Sequence, residues 1–338
     1  LASRSPDERR GDLAAQISAN QRGAKRLGAY VEALGLAEFE RLNAGLLDAS
    51  ERRMTTLIEA WPQGEYCVHD QLDLVSGDTL SLALTLRIQS GWVEVDLSTF
   101  PDALDEPLNA PRAVALAACF YVLRALAGQD VPANAGMLRC LRLITRPGSL
   151  LDPPPNAPVS AGNVETSQRL VDLLLAAFRQ ALPGCIPAAS AGTMSNLLFA
   201  GVDPSTGERF VHYETIAGGA GAGPQGAGAD AIQTHMTNTL NTPVERLEQV
   251  FPVRVDRYAL RPGVASSHQH QGGCGVVRQL RFLVPTEVTL MAQRYRSSPG
   301  QAGQADVDGV AIDGHASLRL ASEQVLTIQT PSGEGWTD

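Results

Sequence analysis

Residues 210–245 read FVHYETIAGGAGAGPQGAGADAIQTHMTNTLNTPVE and concentrate side chains capable of chemistry. His212 and Glu214 stand two apart in a β-branched and aromatic run that reads as a strand over 210–216. Residues 217–229 are nearly all glycine and alanine, too small to build a core. Gln233, Thr234, His235, Thr237, Asn238, Thr239, Asn241 and Thr242 follow, a set rich in donors and acceptors and poor in charge. A surface loop would carry Lys, Asp and Glu instead, so these groups are expected to converge on something. His235, the one imidazole in the polar run, is the first candidate for proton transfer. A buried histidine satisfied by hydrogen bonds fits the same residues equally well.

Two other stretches carry polar groups that structure alone does not explain. Residues 163–181 read as a strong helix, with Asn163 at the N-cap and Glu165 and Thr166 in the first turn. Capping accounts for Asn163 and in part for Glu165. It does not account for Arg169, a cation near the disfavoured end of the helix dipole, so a specific partner is expected for it. Residues 188–196, AASAGTMSN, are again small and polar.

Competing chemistries are weaker. The tract GGAGAGPQGAGA is followed by no Lys-Ser or Lys-Thr and opens no clear helix, so it matches neither a Walker-type loop nor a dinucleotide fingerprint. A backbone cradle for phosphate stays open, but a flexible flap or a close-packed crossing fits small residues better. His268 and His270, like His212 and Glu214, are spaced i, i+2, which on a strand shares a face and often arises by chance. No Cys or further His completes a ligand set, so no metal held by this chain alone is expected. Without a GxSxG elbow, a serine triad is discounted.

The scaffold that must position these groups reads as α+β. The 338 residues, 44% hydrophobic and 19% charged, are enough for a sizeable core. Apolar residues at spacings of three and four predict a helical hairpin arm over 1–62, broken at Gly35. Residues 63–147 alternate as an antiparallel β meander and then form a helix over 112–127 that is apolar nearly all round and therefore buried, leaving Tyr121 and Arg124 in need of partners. Asp70, Asp73 and Asp96 lie in or beside the meander and read as solvated strand-end residues. A loop over 130–136 and a strand over 138–145 complete that region. A proline-rich connector at 147–158 opens the third region, 148–250, which holds the helix and the polar, glycine-rich candidate site. The remainder, 251–338, is β-rich, with strands at 253–260, 276–284, 288–292, 317–320 and 325–329. The four regions are expected to form one intertwined unit.

A net charge of −9 argues against nucleic acid and anionic membrane surfaces as partners. No window approaches a transmembrane span. Cys67, Cys119, Cys140, Cys185 and Cys274 form no CxxC pair and read as reduced thiols of a cytoplasmic protein. The chain starts at Leu1 with a charged run leading directly into a helix, which suggests a piece of a longer polypeptide.

Several blocks, in order, resemble the hydantoinase B/oxoprolinase family. They are GDLAAQISANQRGAKRL at 11–27, PLNAP at 107–111, NAG at 134–136, GSLLDPPPNAPVSAGNVETSQRLVD at 148–172 and SAGTMSN at 190–196. HYETIAGGAGAGPQGAGADAIQTHMTNTLNTPVE at 212–245, GGCGVVRQLRF at 272–282 and LTIQTPSGEGW at 326–336 complete the set. The family includes the B-type subunits of ATP-dependent N-methylhydantoinases, the C-terminal half of 5-oxoprolinase, and subunits of acetone and acetophenone carboxylases. The resemblance implies work with an A-type subunit that binds ATP and Mg and phosphorylates a lactam, imide or enolised ketone. The B-type subunit then opens the ring or carboxylates. The family's divalent metal looks tied to an N-terminal NDP…GG…H…D pattern that does not occur here, so no metal ligand is carried over. The sequence also departs from the family after Leu290 (MAQRYRSSPGQAGQADVDG) and at 264–273 (VASSHQHQGG), so no anion contact near the C-terminus is carried over.

The resulting expectation is the C-terminal part of a B-type subunit of an ATP-dependent hydrolase opening a hydantoin, 5-oxoproline or related lactam ring. An amide substrate needs paired donors and acceptors, which neutral polar groups supply. His235, Asn238, Asn241 and Glu214 are the expected catalytic groups. Asn163, Glu165, Arg169, Thr193, Gly219 and Thr237 are expected to bind substrate, with Arg169 neutralising a phosphate or carboxylate. The alternatives are a subunit of an ATP-dependent ketone carboxylase, and a non-catalytic scaffold that docks the A-type subunit. A hetero-oligomer is expected in each case.

Overall fold

The N-terminal helices are α1 (Pro6–Leu34) and α2 (Leu36–Glu59), which meet at Gly35. The structure is a computed structural model and describes residues 6–263 and 267–337. Gly35 adopts φ 79°, a left-handed conformation open to glycine without steric cost, and so turns the chain between two helices in one residue. α2 buries Ser50, Met54 and Ile58 against the body, whereas α1 buries nothing.

The meander follows as β1 (Gly64–Asp73), β2 (Thr79–Gln89) and β3 (Trp92–Asp96), paired antiparallel. On β2, Leu82, Leu84, Leu86 and Ile88 are buried in strict alternation, so one face of the sheet is core. α3 (Arg112–Ala127) then crosses over, and β4 (Leu141–Ile144) joins the sheet parallel to β3. The strand expected at 138–145 is thus shorter. Residues Ala135–Cys140 wind into a 3-10 turn because Asn134 accepts the Gly136 N–H at 2.9 Å on its side chain and starts a helical turn there.

α4 (Ser167–Ala181) packs on α3 and β1, and a π-helical turn, Gly162–Thr166, leads into it. Asn163 is therefore not the N-cap: it lies inside the π turn, exposed, and its carbonyl accepts the Ser167 hydroxyl at 2.7 Å. The helical chain starts earlier because Gly162 is pressed against Asn109, whose carbonyl would lie 2.2 Å from any Cβ.

The second half contains β5 (Asn196–Val202), β6 (Arg209–Thr215), α5 (Val244–Val250), β7 (Val253–Leu260), β8 (Val276–Phe282), β9 (Thr286–Met291), β10 (Gln304–Val307), β11 (Val310–Ile312), β12 (His315–Leu320) and β13 (Val325–Gln329). They form two sheets, ordered β12-β9-β5-β6 and β11-β10-β13-β8-β7. The β10–β11 hairpin was not expected, although Asp308-Gly309 at φ 50° and 82° is a strong turn signal. The architecture is α+β with two cores. One gathers Met54, Leu72, Leu84, Val122, Leu170 and Phe178, and the other Leu197, Phe199, Leu280, Phe282, Leu290 and Ile328.

Candidate active site

Glu165, Gln168, Arg169 and Asp172 recur at spacings of three and four from the π turn into α4. That spacing puts them on one helix face. All four are buried, and the face is turned to a seam where β1, the loop before β5, the polar run after β6 and the segment after β9 meet.

Arg169 lies at the centre and is wholly buried. Its Nη1 donates to Asp172 Oδ2 at 2.8 Å, and its Nη2 pairs with Asp70 Oδ2 on β1. Arg294 reaches the same two oxygens, at 3.1 Å and 3.7 Å. Two guanidiniums and two carboxylates thus neutralise one another, Arg169 and Asp172 out of water and Asp70 and Arg294 at its edge, so removing Arg169 or Asp172 leaves an opposite charge uncompensated. Burial, and then the Arg294 charge, push the Arg169 pKa down against the pull of Asp172. Burial pushes the Asp172 carboxyl up, but the His235 hydrogen bond with the Arg169 and Arg294 charges outweighs it and leaves the group below the ordinary range. Gly192, at φ 68°, closes over the cluster: a Cβ there would lie 2.5 Å from Arg169 Nη1 and 2.6 Å from Asp172 Oδ2.

His235 enters from the polar run. Its Nε2 is 3.4 Å from Asp172 Oδ1, and its Nδ1 is 3.4 Å from the hydroxyl of Tyr121 on α3. The carbonyl of Thr234 accepts from Gln168 Nε2 at 2.9 Å, which ties the run to α4. His235 itself holds φ 58°, a left-handed conformation rare for a residue with a Cβ and kept only where surroundings enforce it. Carboxylate, imidazole and phenol in line can pass a proton along, and contacts this loose leave room to tighten on a bound substrate. The imidazole lines a narrow opening of about 20 Å³ with Asp172, Arg179, Ala188 and Ala189. Arg179 and Ala188 are also walls of a cleft of about 560 Å³ whose other sides include Glu334 and Trp336. A cleft of that size suits a small organic ligand.

A second network sits beside the first. Glu165 is wholly buried and accepts from Thr193 Oγ1 at 2.7 Å, Met194 N at 3.2 Å and Asn196 Nδ2 at 2.5 Å. Burial drives its pKa up to about 8 despite these donors. Thr193 Oγ1 also accepts the backbone N–H groups of Ser195 and Gln293, both at 3.0 Å. The network therefore fastens α4 to the segment carrying Arg294.

The remaining expected site residues lie elsewhere. Glu214 and Asn241 form a separate cluster with buried Arg278: Nη2 of Arg278 is 2.9 Å from Glu214 Oε1, and Asn241 Nδ2 donates to Glu214 Oε2 at 3.0 Å. Glu214 alternates with Thr215 along β6 and so faces the second core, together with His212. Asn238 is exposed, as is Asn163, while Thr237 is buried in the turn that starts at Thr234. Gly219 belongs to a backbone crossing: a Cβ there would stand 1.8 Å from the carbonyl of Gly273. The N–H groups of Gly219, Ala220, Gly221, Ala222 and Gly228 are all engaged internally, so the tract is a close-packed crossing and offers them to no phosphate.

The groups that do gather are mostly charged, and several were not foreseen. Asp172 was legible, standing three residues after Arg169 and seven after Glu165 on the same face. Asp70 carried no local signal beyond an acidic residue in a strand. Tyr121 was legible only as a polar group needing a partner, and Arg294 falls in the block that departs from the family. Residues 264–266 of the His268 loop lie outside the described residues; His270 itself pairs by backbone with Trp336.

The model of the hydantoinase B/oxoprolinase family matches residues 1–338. The chain belongs to this family. It is 33% identical to 5-oxoprolinase 1 of Arabidopsis thaliana over 96% of its own length and 27% of the plant protein's. It is 30% identical to a Pseudomonas protein named as a candidate B-type subunit of a D-/L-hydantoinase, over 86% of this chain and 50% of that protein. It thus spans half or less of these relatives. Among solved structures, the ATP-dependent caprolactamase of Pseudomonas jessenii superposes with a TM-score of 0.87 at 22% identity, covering 100% of this chain and 62% of the caprolactamase chain. A nucleotide-free acetone carboxylase does so with 0.75 at 13% identity, covering 91% of this chain and 50% of the other. Both share its fold.

Among the described residues there is no group of three or more His, Cys, Asp and Glu that could hold a metal ion. Among the described residues no helix is long and apolar enough to cross a membrane.

Proposed function

We propose that this hydantoinase B chain is part of an ATP-dependent hydrolase that opens a hydantoin, 5-oxoproline or related lactam ring, acting with an A-type subunit that binds ATP and Mg. The carrying observation is the Asp172–His235–Tyr121 line, whose Asp172 and His235 border a narrow opening that shares Arg179 and Ala188 with the 560 Å³ cleft. In this reading His235 holds or moves the proton needed as the ring C–N bond breaks, and Asp172 stabilises the imidazolium that results. Tyr121 supplies or accepts a proton at Nδ1. The His235 contact, and then the Arg169 and Arg294 charges, favour the ionised form of Asp172, so the imidazole faces an anionic partner. Glu214, Asn241 and Arg278 support β6 rather than touch substrate. The five unpaired thiols fit a cytoplasmic setting.

The test uses the assembled enzyme with its ATP-binding partner, assayed for ATP-dependent ring opening of hydantoin, 5-oxoproline and caprolactam. His235→Ala is expected to lower kcat by about a hundredfold or more, the usual share of a general acid or base. Unchanged turnover would remove His235 from the mechanism. Turnover of acetone or an aryl ketone that depends on bicarbonate, with every lactam inert, would replace this reading by the carboxylase.

A further inference from the structure

Gln293 stands one residue before Arg294 and is buried, yet its amide takes no part in the charge cluster around α4. It reaches 220 residues back instead. Its Oε1 accepts the backbone N–H of Asp73 at 2.7 Å, and its Nε2 donates to the Asp73 carbonyl at 2.8 Å. One side chain thus takes both hydrogen-bonding groups of the last residue of β1, as a neighbouring strand would. β1 belongs to the first sheet and Gln293 follows β9 of the second half, so this rung fastens one half of the molecule to the other.

The rung fixes a protonation state. The Asp73 N–H can face only the amide oxygen, and the Asp73 carbonyl only the amide nitrogen, so backbone groups settle how the Gln293 amide lies. The second hydrogen on that nitrogen then serves Nε2 of His315, 2.9 Å away at the start of β12. One N–H cannot donate to another, so this ring nitrogen is bare and accepting. His315 is therefore neutral, with its proton on Nδ1. Asp73, Gln293 and His315 are all buried, so the arrangement is complete within this chain.

The backbone of Gln293 is held as firmly. Its N–H donates to Thr193 Oγ1 at 3.0 Å, the hydroxyl that Glu165 also engages. Arg294, next in the chain, holds φ 66°, and its carbonyl accepts the Gly303 N–H at 2.9 Å. A left-handed backbone is unfavourable for a residue with a Cβ and persists where its surroundings enforce it. Fixed through side chain and backbone, Gln293 sets where the next guanidinium can go, which is to Asp70 Oδ2 and Asp172 Oδ2. β1 supplies a partner to both residues: the Asp73 backbone to Gln293 and the Asp70 carboxylate to Arg294.

We propose that Gln293, held by a neutral His315, is the positioning residue that keeps Arg294 in the seam beside Asp172. The clamp stands on its own hydrogen bonds; only its effect on turnover rests on the reaction assigned above. Protonating His315 sets one N–H against another and opens the clamp. The charged groups facing the imidazole are Asp313, Asp73, Arg296 and Glu106. Burial, helped by Arg296, outweighs the pull of the three acids and pushes the imidazole pKa down. Its share of stability is therefore complete above the ordinary value of 6.5 and declines as pH falls below it.

The test uses the whole protein with its ATP-binding partner. In nitrogen spectra of ¹⁵N-labelled histidine at neutral pH, the signal that His315→Gln removes is expected to show a protonated Nδ1 and a bare Nε2. A protonated Nε2 overturns the proposal. The parent's urea midpoint should drop as pH falls below 6.5. His315→Gln, whose amide oxygen accepts from Gln293 at any pH, should lessen that drop, and an equal drop overturns the proposal. In turnover, His315→Leu should lower kcat by about tenfold or more with KM little changed, and His315→Gln should recover most of the loss. In an Arg294→Met background, His315→Leu should cost nothing further. An equal loss with and without Arg294 means that His315 acts elsewhere and ends the proposal. A parent that opens no lactam sinks the assigned reaction, while the spectra and the urea midpoints still decide the clamp.

Discussion

Two regions of this molecule are dense in residues that look functional, and they solve different problems. In the seam around α4, side chains from five segments (Asp70, Tyr121, Arg169 and Asp172, His235, Arg294) meet under the backbone of Gly192, and the buried charges of Arg169 and Asp172 are held by ion pairs with Asp70, Arg294 and His235. In the glycine crossing, segments 217–229, 271–275 and 331–335 meet instead by backbone, and their N–H groups answer one another's carbonyls. The crossing has little chemistry to offer but holds the C-terminal segment that carries Glu334 and Trp336 to the cleft wall. Paired charges in the first region, and satisfied backbone in the second, separate a site from the frame that builds it.

Substitutions can break that contrast, beginning with the crossing. Gly219→Val is expected to abolish cooperative folding, because its Cβ has nowhere to go, while Gly226→Ala, with nothing within 4 Å, should melt like the parent. If both melt alike, the crossing is not what glycine is there for. In the seam, Arg169→Met leaves buried Asp172 and partly exposed Asp70 beside a single remaining guanidinium. Chemical denaturation should show a loss of about 3–5 kcal/mol, the cost of breaking a buried pair from one side. A loss under about 1 kcal/mol would mean that water reaches the cluster.

Glu165 gives a smaller, pH-dependent effect. Its folded pKa of about 8 against an ordinary 4.5 means that between those values the native state holds a proton the unfolded chain has released. Its contribution to stability is therefore complete below about pH 4.5, declines as pH rises to about 8, and is flat beyond. Glu165→Gln should remove that decline, so urea midpoints at pH 5 and pH 8 should lie closer together than in the parent. An unchanged difference would mean that Glu165 is ionised in the fold. Asn238→Ala marks the lower limit: an exposed residue should alter neither turnover nor melting measurably.

The helices, the meander, most later strands and the family were legible in the sequence because each rests on local periodicity, turn residues or contiguous blocks. α4 shows the boundary. Its polar face could be counted from Glu165 to Asp172, but nothing local announces that Asp70, about a hundred residues earlier, supplies the second carboxylate. The polar run after β6 misled in a different way. Its residues looked like one group, yet the pleat of β6 sends Glu214 to the second core, and the turn at Thr234 sends His235 to the first.

The sequence by itself determined what depends on near neighbours: the α+β class, the hydantoinase B family and most of the helices and strands. The tertiary structure alone decided which charges meet. The Asp70–Arg169–Asp172–Arg294 cluster and its link to His235 need segments far apart in the chain to be brought within hydrogen-bond reach, and a buried charge takes whichever opposite charge packing delivers.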